Sequence, residues 1–267
     1  MIGRALLNEL FLRVRGRLGL LVLLLLFYGS AASLGDEQSI LRVAVAANFA
    51  DVMQDIATDF SAQSDFRVEV VTGSTGKLYA QIRHGAPFDV FLAADTERPL
   101  RLIQEGLAEP ESYRIYAEGR LALWMPGQAM PQLSLLRDSS IRHIALGNPD
   151  LAPYGKAAVE ALMHSGLDDQ TRSKWVFGES VVGAQTLVAT GNAQAGLLAL
   201  SSLRQAGVPE QNILIVPSSS YQPIAQGGVA IVRSNGVHEG ALALLAFLQT
   251  SAVRTNLEAA GYTVPIP

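Results

Sequence analysis

The stretch VTGSTGKLYAQI, Val71 to Ile82, sets the reading of the fold. A short apolar run, Val68 to Val71, enters Gly73-Ser74-Thr75-Gly76-Lys77, and Leu78 and Ile82 follow at helical spacing. The pattern is strand, glycine-rich turn, helix. A nucleotide phosphate loop needs glycine five positions before Gly76 and a hydroxyl residue after Lys77. Those positions hold Val71 and Leu78, so the motif fails twice. Two readings remain open. Ser74 and Thr75 either cap the helix, or the unpaired amides and hydroxyls at its start face an anion.

The rhythm repeats along the chain. Strands are expected at 41–46, 68–71, 89–92, 120–125, 142–146, 195–199, 212–216 and 228–232. Helices are expected behind 41–46 (Val52, Met53, Ile56, Ala57 and Phe60) and at 75–84, 96–105, 154–164, 169–173, 181–190, 237–249 and 251–259. Such alternation predicts an α/β fold with mostly parallel sheets flanked by helices. There are no heptads, tandem repeats or low-complexity linkers.

The first residues read differently. Arg4, Arg13, Arg15 and Arg17 precede the apolar run Leu18 to Phe27, and Ser30-Ala31-Ala32 follows. A basic region, a short apolar core and a small-residue cleavage site predict a signal peptide over 1–32, with the mature chain starting near Ser33. An uncleaved anchor is the alternative. Without residues 1–32 the chain keeps sixteen basic and twenty-three acidic residues, a net charge of about −7, which argues against a nucleic-acid surface. Any anion would have to be held by local dipoles. The absence of cysteine excludes disulfides, thiolate metal sites, a cysteine nucleophile and a lipid-anchoring cysteine. A diffusing protein of a bacterial periplasm is the simplest setting.

Three more strand-to-helix junctions resemble the first. Asn48 follows Ala46-Ala47; Asn148-Pro149-Asp150-Leu151-Ala152-Pro153-Tyr154-Gly155 follows the strand at 142–146; Gly178-Glu179-Ser180-Val181 follows Trp175-Val176-Phe177. In α/β folds ligands sit at the carboxyl ends of strands, beside helix starts. Catalytic signatures are missing. His84, His143, His164 and His238 lack metal-ligand spacing, and there is no Gly-x-Ser-x-Gly elbow, acidic metal loop or carboxylate pair, so the chain reads as a binder, not an enzyme. A transcriptional effector domain would need a helix-turn-helix.

Ala46-Ala47-Asn48, Met53 to Ala57, Gly73 to Ile82, Gly85-Ala86-Pro87-Phe88-Asp89-Val90-Phe91, Ala94-Asp95, Gly147-Asn148-Pro149, Ala152 to Gly155 and Gly261-Tyr262, in that order, resemble the periplasmic molybdate-binding proteins of ABC importers. The resemblance implies a two-lobed periplasmic binding protein fold with a hinge. Its first lobe would span 40–118 plus 224–267 and its second 119–223. It also implies an oxyanion site of Asn48, Ser74, Thr75, Tyr154 and Val181, with molybdate or tungstate as ligand. No cofactor or metal cation is expected. The protein would be a monomer whose partner is a membrane permease. Some members bring a tyrosine from a strand whose end here reads Ala199; Tyr154 is the candidate replacement. Lys77 is expected to be a surface charge, and Asp150 and Glu179 to stay outside the site. A receptor for sulfate or a small organic acid is the alternative. Only donors suit a fully ionised oxyanion, and converging helix starts supply them with about half a positive charge each.

Overall fold

The computed structural model describes residues 39–265. The segment expected to be a signal peptide, 1–32, and the last two residues of the expected first lobe lie outside this range.

The chain begins with β1 (Ser39–Ala46), a 3-10 turn (Ala47–Phe49) and α1 (Ala50–Ala62), then β2 (Phe66–Gly73), α2 (Thr75–Arg83), β3 (Val90–Leu92), α3 (Glu97–Gln104) and β4 (Arg114–Gly119). The middle holds β5 (Leu121–Trp124), β6 (Ile144–Gly147), α4 (Pro153–His164), α5 (Asp168–Thr171), β7 (Trp175–Gly178), α6 (Val181–Ala189), β8 (Ala195–Ala199), α7 (Leu200–Gln205) and β9 (Ile213–Ile215). It closes with β10 (Ile224–Ala230), the hairpin β11 (Val232–Arg233) and β12 (Gly236–Val237), α8 (Glu239–Phe247) and α9 (Ser251–Ala260).

Two five-stranded sheets result, in the orders β2-β1-β3-β10-β4 and β7-β6-β8-β5-β9. Both are mixed. In each, two parallel pairings are followed by two antiparallel ones, so four of the five strands run the same way, as expected of mostly parallel sheets, and one strand, β10 or β5, is reversed. The cause is the way the chain changes sheet. β4 runs into β5 through Arg120 alone, and the return from β9 enters β10, which lies antiparallel beside β4. A strand laid antiparallel needs no crossover helix. Thr263, just beyond α9, exchanges backbone hydrogen bonds with Glu118 of β4 at 2.7 and 2.9 Å.

Burial follows the strand alternation. On β1, Leu41, Val43 and Val45 pack toward α1, α8 and α9, while Ala44 faces Leu78 and Ile82 of α2 and Leu102 of α3. Helix α1 buries Val52, Met53, Ile56, Ala57 and Phe60, the stripe its sequence predicts. Emptying one such position, as in Met53→Ala, costs about 2–5 kcal/mol. The second sheet and its helices share one core that includes Leu123, Leu146, Ala158, Leu162, Ala184 and Leu197.

Three elements differ from expectation. β4 is an additional strand: Arg114 and Ile115 at its start are exposed, so it carries little apolar alternation. Helix α7 is too short to show a helical period, and the β11–β12 hairpin occupies the place where the helix at 237–249 was expected to begin. Among the described residues no helix is long and apolar enough to cross a membrane.

Candidate functional site

Register brings the strand ends together. Ala46 pairs with Gly73 and Val45 with Leu92 in the first sheet, and Gly147 with Gly178 in the second. The segments leaving these ends therefore cluster, and they line one small cavity between the sheets. Ala46, Ala47, Asn48, Ser74, Thr75 and Ala94 come from the first sheet's side, and Ala152, Pro153, Tyr154, Ser180 and Val181 from the second's. All five candidate residues thus meet at one place. The cavity is small, about 10 Å³.

The lining carries no acidic, basic or histidine side chain. Four helix starts supply its polarity: the 3-10 turn before α1, and the first residues of α2, α4 and α6. The first amides of a helix have no acceptor within it, so those of Thr75, Tyr154 and Val181 are donors awaiting partners. Helix dipoles add positive potential at the same point.

Ser74 is the decisive side chain. It occupies the N-cap position of α2 with φ −65° and ψ 145°, yet its hydroxyl makes no bond to the helix. It is only 2% exposed and its Oγ has no hydrogen-bond partner. Leaving a hydroxyl buried and unpaired costs about 1–3 kcal/mol. Thr75 is also buried; its Oγ1 accepts the Ala94 amide at 3.1 Å, which leaves its own hydrogen to donate. Ser180, in the equivalent place before α6, accepts the Gly183 amide at 3.1 Å.

Beneath the cavity runs a buried polar network. Asn48 Nδ2 donates to Gln226 Oε1 at 3.1 Å and to the Tyr262 hydroxyl at 3.2 Å. The Tyr262 hydroxyl donates to the Asn48 backbone carbonyl at 2.7 Å and accepts from Ser201 at 3.0 Å. Tyr116 lies 3.0 Å from Gln226 Oε1, and Gln226 Nε2 donates to the Tyr154 hydroxyl at 3.4 Å. Burial pushes the hydroxyls of Tyr116, Tyr154 and Tyr262 well above the ordinary tyrosine range, so all three stay neutral. Tyr154 reaches the network over Gly119, where a Cβ would stand 2.0 Å from its hydroxyl oxygen; only glycine leaves that space. Ala199 is fully buried at the end of β8.

At the rim, elements of the two sheets touch. The Gly76 amide donates to the Leu151 carbonyl at 2.9 Å, and a Cβ at Gly76 would press on Leu151 Cα at 3.1 Å. Lys77 Nζ bonds both carboxylate oxygens of Glu179, at 3.0 and 3.3 Å, with both side chains about half exposed. Arg98 is paired with Asp95 and donates to the Asp150 carbonyl at 2.9 Å. Lys77, Asp150 and Glu179 therefore stand outside the cavity lining.

A model of bacterial extracellular solute-binding proteins matches residues 41–263. The chain belongs to this family of bacterial extracellular solute-binding proteins. Among individual members of the family, the molybdate-binding protein ModA of Azotobacter vinelandii is 40% identical over 225 residues, covering 83% of this chain and 89% of that one. ModA of Rhodobacter capsulatus is 35% identical over 221 residues, covering 82% and 86%. The solved periplasmic molybdate-binding protein of A. vinelandii superposes with a TM-score of 0.79 at 34% identity, over 85% of this chain and 100% of that one. The sulfate-binding protein SubI of Mycobacterium tuberculosis shares the fold, with a TM-score of 0.69 at 13% identity over 86% of this chain and 88% of that one. The two-lobed solute-binding fold implied by the sequence is the fold observed.

The sequence reading did not include Gln226, Tyr116 and Ser201. A signal existed for Gln226: it is the one large polar residue in the run Ile224-Ala225-Gln226-Gly227-Gly228-Val229-Ala230. Tyr262 was noted for its resemblance but not as part of the site.

Proposed function

We propose that this chain captures molybdate, and equally tungstate, in the cavity between its sheets and hands it to the permease of an ABC importer. The observation that carries the proposal is the buried Ser74 hydroxyl, a cap residue that does not cap, in a cavity lined without formal charge. The likeness to molybdate-binding proteins at 40% and 35% identity supports the choice of ion. Asn48, Ser74 and Thr75 bind from one side and Tyr154 and Val181 from the other. Tyr154 acts through its amide, because its hydroxyl is engaged by Gln226.

Residues 40–118 with 224–267 form one lobe and 119–223 the other, and ligand closes them by bridging donors of both. The protein is a periplasmic monomer, exported by a signal peptide over 1–32, and it binds without catalysing a reaction. Phosphate retains a proton near neutral pH and needs an acceptor that these donors do not offer. Sulfate has shorter bonds, so donors that close to the distance set by molybdate meet it with several stretched hydrogen bonds.

Calorimetry on the mature protein tests this. Tight binding of molybdate and tungstate is expected, with weak or no binding of sulfate and phosphate. Equal affinity for sulfate would overturn the size argument, and no response to molybdate would overturn the proposal.

A further inference from the structure

Gln226 occupies a position that the ligand set alone does not explain. It lies on β10, fully buried, and its amide touches side chains from both halves of the molecule: Asn48 and Tyr116 on one side, Tyr154 on the other. The backbone is adjusted to make these contacts. In the pairing of β10 with β4, Gln226 faces Ala117 and Gly227 faces Ile115, so Tyr116 is an extra residue, a bulge. Bulges re-aim side chains. Here the bulge is at the residue whose hydroxyl meets Gln226, and Gly119 clears the space for Tyr154.

The hydroxyl hydrogens allow two self-consistent arrangements. In the first, Tyr116 donates to Gln226 Oε1, Gln226 Nε2 donates to Tyr154, and both Asn48 Nδ2 hydrogens are spent on Gln226 and Tyr262. The Asn48 side chain then has only its oxygen left over. In the second, Tyr116 donates to the Ala93 carbonyl, which also lies 3.0 Å away. Gln226 must then turn its amide by 180°, donating to Tyr116 and accepting from Tyr154. Asn48 must turn with it, so that its side-chain oxygen accepts from the Gln226 NH₂ and from the Tyr262 hydroxyl, while Ser201, 3.4 Å away, takes over donation to the Asn48 backbone carbonyl and the Asn48 NH₂ is released. Asn48 lines the cavity, and an oxyanion offers acceptors only. The second arrangement alone gives it a donor from this side chain.

We propose that Gln226 is a positioning residue for the anion site: through Tyr116 and Tyr154 it sets which end of the Asn48 amide is free for the ligand. This rests on the anion-binding reading above. The three tyrosine hydroxyls and two amides form a closed relay, neutral throughout, in which one amide cannot turn without the other. Arrival of the anion selects the donor arrangement, and the contact with Tyr154 ties that selection to the second sheet.

A double-mutant cycle on molybdate affinity tests the relay, with thermal unfolding to verify that each variant is folded. Gln226→Met keeps the volume and removes both polar ends. It should weaken molybdate binding by about tenfold, the value of one well-placed hydrogen bond. Tyr116→Phe is a milder second probe. It removes the oxygen that accepts the turned Gln226 NH₂, and so should weaken binding severalfold in a chain that folds normally. The distinguishing readout is the Asn48→Ala background. Because both residues act through Asn48, each penalty should shrink there to less than about twofold, whereas a general loosening of the structure would persist. Wild-type affinity in both single variants, or penalties undiminished beside Asn48→Ala, would overturn the relay while molybdate binding by the unaltered protein stands. Absence of molybdate binding by the unaltered protein would overturn both readings.

Discussion

Ser74 and Ser180 invite comparison because the sequence gives them the same task. Each ends the extended segment before a helix, each lines the cavity, and they approach it from opposite sheets. Ser180 completes its helix by accepting the Gly183 amide, while Ser74 leaves its helix uncapped and its hydroxyl unpaired. The difference lies in what else serves the two helix starts. At α2 the Gly76 amide, which a cap could have satisfied, is taken by the Leu151 carbonyl from across the cleft. At α6 the serine itself does the work. One serine therefore serves stability and the other is free to serve a ligand.

Substitutions can break this contrast. The largest effect is expected from the double variant Ser74→Ala, Thr75→Ala, which removes two charge-assisted hydrogen bonds. At about 1.5–3 kcal/mol each, molybdate affinity should fall by two orders of magnitude or more in calorimetry. Ser74→Ala alone should weaken binding without lowering the melting temperature of the ligand-free protein, since its hydroxyl supports nothing in the fold. A melting temperature that falls as it would for a lost cap would erase the distinction between the two serines.

Ser180→Ala is the converse. It should cost about 1 kcal/mol of stability, seen in urea unfolding, with less than tenfold change in affinity. The smallest effect is expected at the rim. Lys77→Ala removes an exposed ion pair with Glu179, worth less than about 1 kcal/mol, and its influence on affinity should fade as salt is raised. A large, salt-insensitive loss would place Lys77 among the ligands.

The glycine turn at 73–76 and the alternation of apolar runs were enough to anticipate the α/β class, because strand and helix periods there are dictated by burial on the two faces of β1. The helix starts near positions 48, 74, 154 and 181 were legible because Asn, Ser, Thr and Pro mark them in sequence, whereas the choice of Asn48, Ser74, Thr75, Tyr154 and Val181 as ligands came from the family resemblance. What separates Ser74 from Ser180 could not be read, since it depends on a carbonyl donated by Leu151 from another part of the chain. The same holds for Gln226. Its partners lie 178, 110 and 72 residues away along the chain, and no local pattern carries contacts of that range. β4 was missed for a related reason: its partner β10 is equally distant, and its first two residues are exposed.

The placement of β10 also orders events in time. All five strands of the second sheet fall within residues 121–215, an unbroken piece of chain. The first sheet is discontinuous: β1 to β4 precede that piece, and the slot between β3 and β4 is filled only by residues 224–230. Pairings between distant segments carry a loop-closure cost that must be met before they stabilise anything. The second sheet can be completed from its own residues, whereas the first must wait until the chain has passed through the second and returned. The cavity between the sheets, which needs both, is consequently among the last features that a newly made chain can assemble.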